Sequence, residues 1–465
     1  MAFVIVLAAL CFLMLVAYRG YSVILFAPIA ALGAVLLTDP SLVAPVFTGL
    51  FMEKMVGFLK LYFPVFLLGA IFGKLIELSG FSRSIVAATI RLVGRGRAML
   101  SIVLVCALLT YGGVSLFVVV FAVYPFAAEL FRQSDIPKRL IPATIALGAF
   151  TFTMDSLPGT PQIQNIIPTT FFGTDGWAAP VLGCLGGVFI LLTGLAYLEW
   201  QRRKALAASE GYGTDLVNEP VSFADDKLAN PWLAILPLLL VGVANKLFTV
   251  MIPRFYGASH EFIPAVIGDP KPVVQEVTKV AAIWAVEGAL LIGILAVLLL
   301  AWTRVRGRFA QGSQSAVGGA LLASMNTASE YGFGAVIASL PGFLVVANAL
   351  RGIPNPLVNE AVTVTALAGI TGSASGGMSI ALAAMADTFV QNANAAGIPM
   401  EVLHRVAAMA SGGMDTLPHN GAVITLLAVT GLTHRQSYKD IFAITLIKTS
   451  AVFVVIGIYL TTGLV

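Results

Sequence analysis

Hydrophobic positions along this chain run in long blocks, at 2–18, 21–37, 56–78, 140–154 with 163–172, 179–198, 232–252, 279–302, 318–340, 400–430 and 441–462. Blocks apolar all round predict buried or lipid-facing helices, and a crossing needs about 20 such residues, so roughly ten full spans fit. Two further blocks, 98–131 and 356–391, are split by Gly112-Gly113 and by Gly372-Ser373-Ala374-Ser375-Gly376-Gly377. Their arms are near half a membrane long. They predict re-entrant hairpins whose tips face protein and a cavity, because lipid offers unpaired backbone no partner. A polar stretch, 201–230, separates residues 1–200 from 231–465, and Pro253 to Gln275 predicts a second polar loop.

Composition fixes the class. Of 465 residues, 58% are hydrophobic and 11% charged, with mean hydropathy +0.93, whereas soluble domains carry about 25% charged residues. The expectation is an all-α polytopic membrane protein. Arg19, Arg83, Arg91, Arg95, Arg97, Arg132, Lys138, Arg139, Arg202-Arg203-Lys204, Arg304, Arg306 and Arg308 fall on one side of this topology. That side, with the 201–230 linker, is expected to be cytoplasmic, and the N-terminus periplasmic. No charged region or small-residue cleavage site precedes Arg19, so the first block is read as a retained span. Net charge +4 follows from the loops and does not point to nucleic acid. Cys11, Cys106 and Cys184 lie in apolar blocks without CxxC spacing or clustered histidines, so neither a metal site nor a disulfide framework is expected. No GxSxG, HExxH, P-loop or dinucleotide fingerprint supports an enzyme, and no cofactor is implied.

Two apolar blocks carry the same helix-breaking acidic motif. Met154-Asp155-Ser156-Leu157-Pro158-Gly159 and Met414-Asp415-Thr416-Leu417-Pro418-His419 stand 260 residues apart. Other landmarks keep nearly that offset: Ser79-Gly80-Phe81 with Pro341-Gly342-Phe343, Gly113 and Ser115 with Gly377 and Ser379, and Ile136-Pro137 with Ile398-Pro399. The chain therefore reads as two repeats, and the span count places them in opposite orientation. Inverted-topology repeats with paired discontinuous helices build a central site for a transported solute. At the first break, Thr160 is the expected N-cap and Pro161 the first helical residue. At the second, Asn420 is the expected N-cap and Gly421 permits close backbone approach.

Half-helix N-termini at membrane depth suit an anion. Hydroxyls of Ser115, Ser156, Thr160, Ser375, Ser379 and Thr416, with His419 and Asn420, are the expected substrate contacts. Asp155, Asp415, Glu330 and His419 are the candidates for carrying a coupling ion, each weighed against a structural role. Glu330 differs from the others because its repeat counterpart is Leu68.

Met154 to Gln164 (MDSLPGTPQIQ), Gly413 to Thr425 (GMDTLPHNGAVIT) and Thr430-Gly431-Leu432-Thr433-His434 resemble the gluconate-permease (GntP-type) family of the ion-transporter superfamily. The resemblance implies a bacterial inner-membrane proton symporter of small hydroxy- or oxo-carboxylates, a homodimer with an elevator-like motion. At the second break the gluconate branch carries Ser-His-Val-Asn-Asp where this chain has Leu417-Pro418-His419-Asn420-Gly421. That favours the branch for D-3-hydroxybutyrate. Gluconate, C4-dicarboxylate or citrate symport, sodium coupling, and an uncoupled anion channel remain the alternatives.

Overall fold

The computed structural model describes residues 2–465 except 20, 95–96, 115, 215–216, 221–227, 264–271, 344, 346–351 and 419. Ser115 and His419 thus lie outside the described residues. Among the described residues, five helical stretches are long and apolar enough to cross a membrane: Pro40–Leu78, Pro180–Ala207, Pro231–Tyr256, Val277–Ser339 and His434–Thr462. The fourth makes two passes. Gly293 lies against Phe72, Gly312 against Leu78 and Gly332 against Phe51, so the chain follows Pro40–Leu78, turns where Ala301 leaves helical geometry, and runs back. Leu192, Val243, Leu295 and Leu299 are exposed, as helices that meet lipid require. The protein is an all-α polytopic membrane protein.

The same order of elements occurs twice. In the first half a hairpin (Ala98–Tyr111, Leu116–Gln133) precedes a broken helix (Ile141–Ala149, then Ile163–Phe172) and a long helix (Pro180–Ala207). In the second, a hairpin (Pro356–Thr371, Ala374–Ala395) precedes a broken helix (Met400–Ser411, then Gly421–Thr430) and a long helix (His434–Thr462). Each hairpin's first arm packs on the first part of its own broken helix. Its second arm packs on the second part of the other half's broken helix. The two halves are interlocked at the breaks.

Two local expectations need correction. The tip of the second hairpin is Gly372-Ser373 alone, with Gly372 at φ 65°, where a side chain would be strained. Ser373 Oγ accepts from Gly376 N at 3.0 Å and so starts the helix at Ala374. Gly376, Gly377 and Ser379 therefore sit inside the outgoing arm, where Gly377 lets the two arms meet at Ala368. The polar segment after Tyr256 is no plain loop. Ser259–Phe262 pairs antiparallel with Val273–Glu276, Ser259 opposite Glu276.

The linker is held down on the membrane helices. Lys138 Nζ donates to Val217 O at 2.6 Å and pairs with Glu219 at 2.8 Å, which also binds Arg132. Arg139 joins Glu210 of the linker (2.7 Å) to Asp440 of the last helix (2.8 Å). Partial burial raises the Glu219 carboxyl, but Lys138 and Arg132 outweigh it and hold the group below the usual glutamate range.

Candidate functional site

Each break is tied to the tip of its own hairpin by the amide of an N-cap residue. Asn420 Oδ1 accepts from Val423 N at 2.9 Å, capping Gly421–Thr430 as expected, while its Nδ2 donates to Gly372 O at 2.7 Å. Gln162 plays the corresponding part in the first half, donating to Thr110 O at 2.8 Å. Thr160 is not the cap. The helix begins at Ile163 after Gln162, two residues later than expected, because the Thr160 hydroxyl is spent on Thr153 O at 2.8 Å. Tyr111 adds a bond to Pro158 O at 2.8 Å.

A cavity of about 480 Å³ opens where these parts meet. Its walls include Gly113 and Leu116 of the first hairpin, Pro161 to Gln164, Thr371 to Ser375, and Asn420 to Ala422. Four helices start on it, at Leu116, Ile163, Ala374 and Gly421. Each presents N–H groups with no intrahelical acceptor and the positive end of its dipole. Asn326, Thr327 and Glu330 enter from the return pass of Val277–Ser339. Thr327 and Ser375 hydroxyls are 3.2 Å apart.

Several buried ionisable groups surround the breaks. Asp415 lines the cavity and forms an ion pair with Lys448 of the last helix, whose Nζ also donates to Phe150 O at 3.1 Å. Arg405, fully buried, donates to Asp155 O (3.0 Å), Ala178 O (2.7 Å) and Asn165 Oδ1 (3.1 Å). Glu330 is 3% exposed and its Oε2 meets no hydrogen-bond partner among the described residues. A Cβ on Gly376 would land on that oxygen. The glycine lets the carboxyl sit against the first turn of the hairpin arm.

Of the sequence-derived candidates, Gly113, Pro161, Glu330, Ser375, Asp415, Thr416, Asn420 and Gly421 line this cavity. Asp155, Ser156, Thr160, Gly112, Pro158, Gly159, Pro418, Gly376, Gly377 and Ser379 do not. Ser156 donates to Asp155 Oδ1 at 2.8 Å behind the wall, and Ser379 Oγ is buried without a partner among the described residues. Sequence reasoning overlooked Lys448, Arg405, Gln162, Gln164, Asn326 and Thr327. Lys448 had a signal: a lone lysine within the apolar run 441–462, where a charge is costly unless paired.

A cavity at the breaks of membrane helices, where a few polar groups stand among apolar walls, has the architecture of a solute path. The chain is 60% identical, over 474 positions covering 100% of both sequences, to "Uncharacterized transporter YxjC" of Bacillus subtilis (strain 168). It belongs to the YxjC transporter family. No protein-family model matches it. Its fold is like that of the Alcanivorax borkumensis YdaH transporter, whose crystal structure reveals an unusual topology: TM-score 0.52, 13% identity, 92% of this chain and 90% of that one covered. As a member of the YxjC family, the protein is a membrane transporter.

Proposed function

We propose that the protein is a proton-coupled symporter importing a small hydroxy- or oxo-monocarboxylate, with D-3-hydroxybutyrate the favoured cargo on resemblance to the gluconate-permease family. One observation carries this reading: four helix N-termini converge on a cavity that also holds Glu330, a carboxyl with no ion-pair partner among the described residues. Each dipole end contributes roughly 0.3–2 kcal/mol toward an anion, so several must converge for useful affinity. Gln164, Asn326, Thr327 and Ser375 supply hydrogen bonds for the hydroxyl or oxo group. Asp415 does not oppose the anion, since Lys448 neutralises it.

Glu330 then sets the coupling. A cargo carboxylate about 6 Å from a charged Glu330, at an effective dielectric near 20, would meet a repulsion of about 3 kcal/mol, roughly a hundredfold in affinity. A proton on Glu330 removes that repulsion, so proton and anion load together. In this reading residues 1–200 and 231–465 are the two inverted repeats, the 201–230 linker is cytoplasmic, the N-terminus is periplasmic, and the protein works as a homodimer in the bacterial inner membrane. The test is uptake of radiolabelled 3-hydroxybutyrate by proteoliposomes, with gluconate, acetoacetate and C4-dicarboxylates as competitors. Uptake is expected to follow an imposed pH gradient. Uptake that follows sodium and ignores pH overturns the proposal.

A further inference from the structure

The breaks of a discontinuous membrane helix free main-chain carbonyls, and a carboxylate beside such a carbonyl is the oxygen set that holds an alkali cation. Both parts are present here. Asp415 comes from the second break, and Phe150 O from the first, where Ile141–Ala149 ends and Thr151 leaves helical geometry at φ −129°, ψ −126°. These oxygens converge on the Lys448 ammonium, which is ion-paired with the one and 3.1 Å from the other. Lys448 is 2% exposed and reaches this point from the middle of His434–Thr462. A cation there is costly unless it answers a charge already in place.

We propose that the Lys448 ammonium occupies the position of a coupling sodium ion, making the protein sodium-independent, and that shortening Lys448 uncovers an alkali-cation site between Asp415 and Phe150 O. This deepens the symport reading and rests on it for the word coupling. The geometry sets the consequence. The lysine stem cannot leave with the cargo, so no free alkali cation is needed at the crossing of the breaks, and a proton is the cation left to be carried. The neighbouring Gly412 lies against Asp155 Oδ2, so a second carboxylate stands near the same crossing.

The experiment is thermal unfolding of the purified full-length protein without cargo, in sodium, potassium or choline chloride, so that its outcome does not depend on the choice of substrate. Wild type is expected to melt at one temperature in all three salts. Lys448→Ala is expected to gain several degrees in sodium or potassium over choline, and to lose that gain when combined with Asp415→Asn. A wild type stabilised by sodium overturns the proposal whatever the variants do, and so does a Lys448→Ala protein indifferent to both alkali cations. Should Lys448→Ala survive purification only in an alkali salt, that selectivity supports the proposal; loss in all three salts overturns it. Failure of 3-hydroxybutyrate uptake, by contrast, bears on the cargo and leaves these melting curves untouched.

Discussion

On the proposed reading, replacing Glu330 by Gln removes the proton carrier from the cavity while keeping its size. Among the described residues the cavity lining includes two carboxyls, Glu330 and Asp415, and Lys448 balances the charge of Asp415. The proposal then leaves one exchangeable proton per monoanion, which makes loading electroneutral. A gradient of one pH unit is worth about 1.36 kcal/mol per proton, hence about tenfold accumulation of cargo. The membrane potential adds nothing, although a net charge of one would feel about 2.3 kcal/mol per 100 mV. In proteoliposomes, wild type should concentrate labelled 3-hydroxybutyrate about tenfold per imposed pH unit, with no change when valinomycin and potassium set the potential. Glu330→Gln should still exchange cargo in counterflow, but its accumulation ratio should fall to that of simple equilibration. A variant that still concentrates tenfold, or a wild type that follows the potential, would refute the reasoning.

Breaking the Asp415–Lys448 pair should cost stability asymmetrically. Lys448→Met alone leaves a buried carboxylate unpaired and is expected to cost about 3–5 kcal/mol, while Lys448→Met with Asp415→Asn recovers most of it; thermal unfolding of the four proteins closes the cycle, and equal loss in single and double variants would count against the pair. Asn420→Ala loses a helix cap and the bond to Gly372 O, about 1–3 kcal/mol together. Hydrogen exchange should rise at 372–376, where Asn420→Asp keeps the cap but not the tie. Because Glu219 is held below the usual glutamate range, its contribution to the linker clasp is complete above that range and fades as pH falls through the lowered value. Exchange at 208–214 should therefore increase only in acid, and Glu219→Gln should show the open pattern at neutral pH already.

The punctuation of the chain was legible because Gly and Pro act through the backbone. Gly112-Gly113, Pro158-Gly159 and Pro418 mark turns whatever surrounds them, and Asn420 caps as its type dictates. Positions decided by competition between partners were not legible. Thr160 looked like a cap but bonds back to Thr153, and the N-cap position falls on Gln162, whose amide ties to the hairpin instead of capping. Ser373 took the helix start from the glycines that follow it. The cations were missed for a different reason. Arg405 and Lys448 belong to the second half but serve the first, at Asp155 O and Phe150 O, and matching the halves by offset does not reveal contacts between them.

Those two cross-ties also bear on how the chain is made. The carbonyls of Asp155 and Phe150 are buried at the first break, yet their cationic donors are translated some 250 and 298 residues later. Until Met400–Ser411 and then the last helix insert, the earlier half holds buried backbone groups without those partners, a state that hydrocarbon penalises. Insertion of His434–Thr462 is thus the step that completes the first half as well as the second. A nascent chain truncated before Lys448 should be recognised by quality-control proteases as unfinished, even though every element of its first half has been synthesised.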